Sequence, residues 1–142
     1  MAVYSKAQML TAYYERMAQS IADNGPCPKI KEFRFGNGYI DESVDPPELL
    51  PIPADMSILP GEFFTGVPEV QSSGGRVIVK CQLPPGGVTS PKKYSLTTLH
   101  DADGTILAVM QDLPDWITPT DEHVTYGYLD FPHLSEDPPT VI

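Results

Sequence analysis

The residue types best suited to chemistry in this chain are three histidines, two cysteines and a few adjacent carboxylates. His100, His123 and His133 are its only histidines. No two are spaced to share a helix face or one side of a strand, so a zinc site would need three separate elements. Asp101-Ala102-Asp103-Gly104 opens like a calcium loop. Counted from Asp101, however, the twelfth position is Asp112, and the apolar run Thr105 to Met110 stands where further ligands belong. A hairpin turn is the better reading of that tetrapeptide. Cys27 and Cys81 form no C-x-x-C motif, and two buried free thiols are expected ahead of a single disulfide. The chain has no G-x-S-x-G elbow. The pairs Asp41-Glu42 and Asp121-Glu122 are neighbours in sequence, which usually point apart, and read as solvated turns. Gly36-Asn37-Gly38 lacks the Lys-Ser/Thr and the following helix of a phosphate-binding loop. The spacing therefore implies no catalytic centre, metal site or cofactor, and the chain is expected not to be an enzyme.

The elements that carry these residues are organised around Tyr94 to Met110. Two strand-forming runs flank the Asp101–Gly104 turn, where Gly104 can take positive φ and both aspartates can bond their own backbone. Upstream, Ser5 with Gln8 reads as a capping box and Tyr4 with Met9 as a hydrophobic staple, predicting a helix over 5–23. Leu10, Tyr14, Met17 and Ile21 form its apolar stripe, expected to pack on the domain's own sheet. Asn24-Gly25-Pro26 stops it, with Gly25 suited to the left-handed cap.

Lys29 to Phe35 alternates as a strand with Phe33 and Phe35 inward, entering a Gly36-Asn37-Gly38 turn that permits positive φ. Asp41 to Pro60 is rich in proline and reads as an extended loop across the surface, with a short turn near 52–58 and a contact role. Gly61 to Val67 opens a second sheet segment. Ser72-Ser73-Gly74-Gly75 reads as a hairpin or loop before a strong strand from Arg76 to Leu83. Leu113-Pro114-Asp115-Trp116 reads as a turn, and Glu122 to Phe131 as the last strand. Residues 132–142 form an extended tail that a partner would have to hold.

At 142 residues the chain is one domain's worth, with 41% apolar residues and 16 prolines. The fold class expected is α+β, mainly β: an N-terminal helix packed on an antiparallel sheet or small β-sandwich over 1–131. A net charge of −10 would repel phosphate backbones and anionic lipid, arguing against nucleic acid and membrane partners. The N-terminus lacks the apolar core of a signal peptide and no run reaches membrane-spanning length, so a soluble, cytoplasmically made protein is expected.

Over residues 9–131 the order of features resembles the N-terminal domain of phage tail-collar fibre proteins. The matching segments are M-L-T-A-Y-Y-E-R-M-A-Q-S-I-A (9–22), F-R-F-G-N-G-Y-I (33–40), I-L-P-G-E-F-F (58–64), D-A-D-G-T-I-L-A-V (101–109) and L-P-D-W (113–116). The resemblance implies a structural virion protein that attaches or adapts a tail fibre to the baseplate or collar. It implies a homo-oligomer, with a trimer favoured, partnered by other tail, baseplate and fibre proteins. Candidate contact residues are Leu10, Tyr14 and Met17 on the helix, Asp45, Pro46, Pro47, Leu49 and Leu50 in the acidic loop, and Phe131, Leu134 and Val141 in the tail. The alternatives are a carbohydrate- or small-ligand-binding β domain with Trp116 and the tyrosines as a stacking platform, a tail completion or terminator protein, and a cell-wall hydrolase.

Overall fold

The computed structural model describes residues 4–25 and 27–130. In chain order the elements are β1 (Tyr4–Lys6), β2 (Gln8–Met9), α1 (Thr11–Asp23), β3 (Glu32–Gly36), β4 (Ile40–Asp41) and β5 (Glu48–Leu49). They continue with β6 (Phe64–Gly66), β7 (Glu69–Ser73), β8 (Arg76–Leu83), β9 (Lys92–His100), β10 (Ile106–Ile117) and β11 (His123–Asp130). Over the described residues the protein is mainly β with one helix, as expected.

The β9–β10 hairpin forms at the Asp101 turn. Gly104 takes φ 88°, and the Asp101 carboxylate accepts from the backbone N–H of Asp103 at 3.1 Å and of Thr105 at 3.0 Å. Around it the strands make two sheets, β1-β11-β8-β7 and β2-β10-β9-β3-β6. Their facing sides meet in one core. Phe33, Phe35, Leu99, Ala108 and Met110 come from the larger sheet, and Val79, Cys81, Leu83 and Leu129 from the smaller. The alternation expected for β3 places Phe33 and Phe35 inward, and β8 and β11 alternate in the same way. Gly127 keeps the sheets close, since a Cβ there would run into the Met110 thioether.

Each flank of this sandwich is closed by a segment that changes sheets. Residues 4–6 pair with β11 in parallel and, after buried Ala7, residues 8–9 pair with β10. On the opposite flank β6 pairs with β3, and β7, two residues later, pairs with β8. This topology corrects the predicted helix start. The Ser5 hydroxyl donates to Asp112 at 3.1 Å and the Gln8 amide to the Ile52 carbonyl at 3.1 Å, so neither side chain is capping. The backbone of 4–9 satisfies itself in the sheets, and α1 begins at Thr11 behind Leu10, which offers no side-chain cap.

The outer side of the larger sheet is also buried. Leu96, Ile106 and Val109 are covered by Ile52, Met56 and Leu59 of the proline-rich segment, together with Leu10. Over 50–60 that segment is extended as expected and turns where Met56 N–H bonds the Pro53 carbonyl at 3.1 Å. By contrast 40–49, expected as part of the same extended loop, pairs β4 with β5 in a hairpin. It supplies the cover assigned from sequence to the helix. No residue within α1 is buried, and Ile21 is 77% exposed.

Four local expectations are corrected. Asn24, not Gly25, takes the left-handed cap with φ 54°, which asparagine tolerates. The positive φ expected within 36–38 falls instead on the next residue, Tyr39, at 53°, while Gly36 is required for space, a Cβ there lying 2.5 Å from the Pro60 carbonyl oxygen. Residues 113–116 do not turn. They lie within β10, where the partner of β9 steps from Gln111↔Leu96 to Asp115↔Tyr94. This bulge accommodates Pro114, which has no N–H for the ladder. Both cysteines are free, but only Cys81 is buried, its thiol pushed up to about 12 by burial, and Cys27 is exposed.

Candidate functional site

The sequence-derived contact residues fall into three groups. Leu10 is fully buried in the outer cluster and is not a contact residue. Tyr14 is exposed and Met17 half-buried on α1. Phe131, Leu134 and Val141, with the tail 132–142, lie outside the described residues.

The second group is held together. Ile40↔Leu49 and Asp41↔Glu48 pair β4 with β5 in a small hairpin whose tip carries Val44, Asp45, Pro46 and Pro47. The hairpin is mounted rigidly at both ends. The Gln111 amide of β10 donates to the Leu50 carbonyl at 2.7 Å, and Lys93 of β9 makes an ion pair with Glu42. The Lys93 ammonium also lies 5.9 Å from the centroid of the Trp116 ring, its cross-strand partner. Trp116 therefore shares the outer side of the larger sheet with Leu96 and Val109, just where the proline-rich cover ends. It is 59% exposed, and Leu49 and Leu50 beside the same mount are 43% and 41% exposed. Sequence reasoning marked this loop and Trp116 separately; only the folded registry joins them.

A second constellation was missed. The β10 bulge opens a cleft of about 230 Å³ lined by Ser5, Tyr94, Asp112, Asp115, His123 and Thr125, among others. The Tyr94 hydroxyl donates to Asp112, and its oxygen lies 2.8 Å from Thr97 Oγ1 and 3.0 Å from Thr125 Oγ1. Burial first, then the Asp112 charge, pushes the Tyr94 phenol well above its ordinary pKa, so it stays protonated. The His123 ring sits 4.3 Å from the Tyr94 ring, with Nε2 3.2 Å from Thr125 Oγ1. Burial pushes His123 below its usual range, against the pull of Asp112 and Asp115. The Tyr94, Thr97 and Thr125 hydroxyls are shared among themselves, and the Ser5 hydroxyl donates to Asp112. The network ties β1, β9, β10 and β11 together at the bulge. Its only sequence signal was a proline inside a strand.

The Asp101 turn is tied to the helix. Arg16 reaches Asp101 at 3.1 Å and Asp103 at 2.9 Å. Asp103 is held well below the carboxylate range by hydrogen bonding with Asp101, Thr105 and Arg16, whereas burial pushes Asp101 up. At the base of the hairpin His100 is buried, with Nδ1 2.9 Å from the Gly104 carbonyl. A carbonyl only accepts, so Nδ1 carries the proton and Nε2 accepts from Thr98 at 2.7 Å. This is a structural histidine. Among the described residues no group of three or more His, Cys, Asp or Glu side chains is placed to hold a metal ion.

No protein-family model, curated protein or solved structure matches the chain.

Proposed function

We propose that the protein is a non-enzymatic attachment module of a bacteriophage tail, adapting a fibre to the baseplate or collar. The motif order across residues 9–131 suggests this role. The observation that carries it is the β4–β5 hairpin, with Val44, Leu49 and Leu50 exposed on a mount fixed to β9 and β10. Exposed apolar side chains on a rigid support favour association, because little conformational entropy is lost when a partner covers them. The role calls for assembly in the host cytoplasm, incorporation into the virion, and tail or fibre chains as partners, in a homo-oligomer with a trimer favoured. Light scattering of the purified protein, alone and mixed with tail and fibre chains, tests it. A trimer, or a complex formed on mixing, is expected; a monomer that ignores every tail chain would overturn the proposal.

A carbohydrate-binding role is the second reading, favoured by the exposure of Trp116. It requires a saccharide to perturb Trp116 emission, and binding that disappears in Trp116→Ala.

A further inference from the structure

Trp116 is the chain's one tryptophan, and its setting specifies what should cover it. The outer side of the larger sheet is apolar along Leu96 and Val109 and is sealed there by Ile52, Met56 and Leu59. Trp116 continues that side beyond the seal and is joined to the hairpin through Lys93, which lies over its ring and pairs with Glu42. Leu49 and Leu50 of the hairpin are exposed, and the Leu50 carbonyl is held by Gln111 of the same strand as Trp116. An exposed indole pinned by a lysine stack on a β-strand has the features of an interface anchor: large apolar area, few rotamers and a fixed position.

The charge around it selects the partner. Between Arg34 and Arg76 the chain contains no lysine or arginine and seven acids, of which Asp45 and Glu48 are exposed on the hairpin itself. Lys93 is already paired with Glu42. Lys92, in register with buried Ile117, belongs to the other side of the sheet. A second copy presenting the same face would set these acids against one another, whereas lysines or arginines flanking apolar side chains would meet both features at once.

We infer that the Trp116–hairpin face docks a basic segment of a partner protein, with apolar side chains covering Trp116, Leu49 and Leu50 and Lys or Arg facing Asp45 and Glu48. This rests on the reading of the hairpin as an attachment surface. The two fail separately, because light scattering with tail chains tests the role and the following experiment tests the partner's chemistry.

Trp116 emission reports this site alone. The full chain is titrated with three short peptides: alternating Lys–Leu, alternating Glu–Leu and alternating Lys–Ser. The Lys–Leu peptide is expected to shift the emission to the blue, saturably and less at high salt, while the other two leave it unchanged. Calorimetry should show about tenfold or greater loss of Lys–Leu affinity in Trp116→Ala and a clear loss in Glu48→Lys. Both positions are exposed, and circular dichroism verifies folding. Equal binding of Glu–Leu or Lys–Ser, no emission change with Lys–Leu, or undiminished binding in Trp116→Ala would each overturn the inference. So would a concentration-dependent self-association, abolished by Trp116→Ala, which would make a second copy the occupant.

Discussion

Helix α1 and the proline-rich segment 50–60 border the same side of the larger sheet, and they serve it in opposite ways. The helix has a regular apolar stripe and buries none of its own residues. The segment has no regular structure and buries Ile52, Met56 and Leu59. Regular backbone satisfies its own hydrogen bonds and can stand off. An extended strap must borrow partners, as in Thr11 N–H to Ala54 O at 2.8 Å and Asn37 N–H to Pro60 O at 3.0 Å, and so it follows the surface closely. Proline suits it, because a fixed φ and a missing donor reduce both the entropy lost and the bonds needed.

This contrast is open to direct attack. Leu59→Ala should destabilise the protein by about 2–5 kcal/mol in urea unfolding, as for a buried leucine whose cavity collapses only partly. Gly36→Ala should cost about 1–3 kcal/mol, because its new methyl would press on Pro60 and Leu59 and lift the strap. Acidification sharpens the comparison through His100, which lies beneath the Asp101 turn on the sheet side, and through His123 in the bulge cleft. Burial lowers both from the ordinary 6.5. As pH falls through about 6.5 the unfolded chain takes up protons that the folded chain refuses, so stability declines until the depressed folded values are passed. Thermal melts on either side of that range should show a lower Tm on the acid side. The smallest effect belongs to the helix: Ile21→Ser should stay within about 0.5 kcal/mol of the parent. If it matched Leu59→Ala, the comparison would fail.

What was legible from sequence follows the same division. The 94–110 hairpin was readable because its information is local: two aspartates and a glycine satisfy the turn by themselves. The inward alternation of Phe33 and Phe35 was equally local, whereas which face of β8 and β11 turns inward is set by the sheet opposite. Residues 4–9 were misread because Ser5 and Gln8 sit at capping-box spacing, yet both side chains bond to residues more than forty positions away. The strap's buried positions 52, 56 and 59 stand at helix-like steps of four and three, but in a segment that Pro51, Pro53 and Pro60 keep from being a helix. The spacing could not be read as a helix face, and Ile58 beside them is exposed. The contact face was half legible. Its loop was marked by prolines and acids, but its indole sat in a tetrapeptide that read as a turn, since a bulge is visible only against the strand it faces.

The parallel pairing of Tyr4 with Tyr126 has a consequence for biosynthesis. Strand β1 leaves the ribosome well ahead of its neighbour β11, which is completed more than a hundred residues later. Throughout translation that flank stays open, and the first strand waits as bare backbone. Closure is a long-range event that local structure cannot hasten, so the final seal should set the pace of folding. A nascent chain stalled short of residue 123 would hold most of the larger sheet's sequence yet lack the strand that lets residues 4–6 dock.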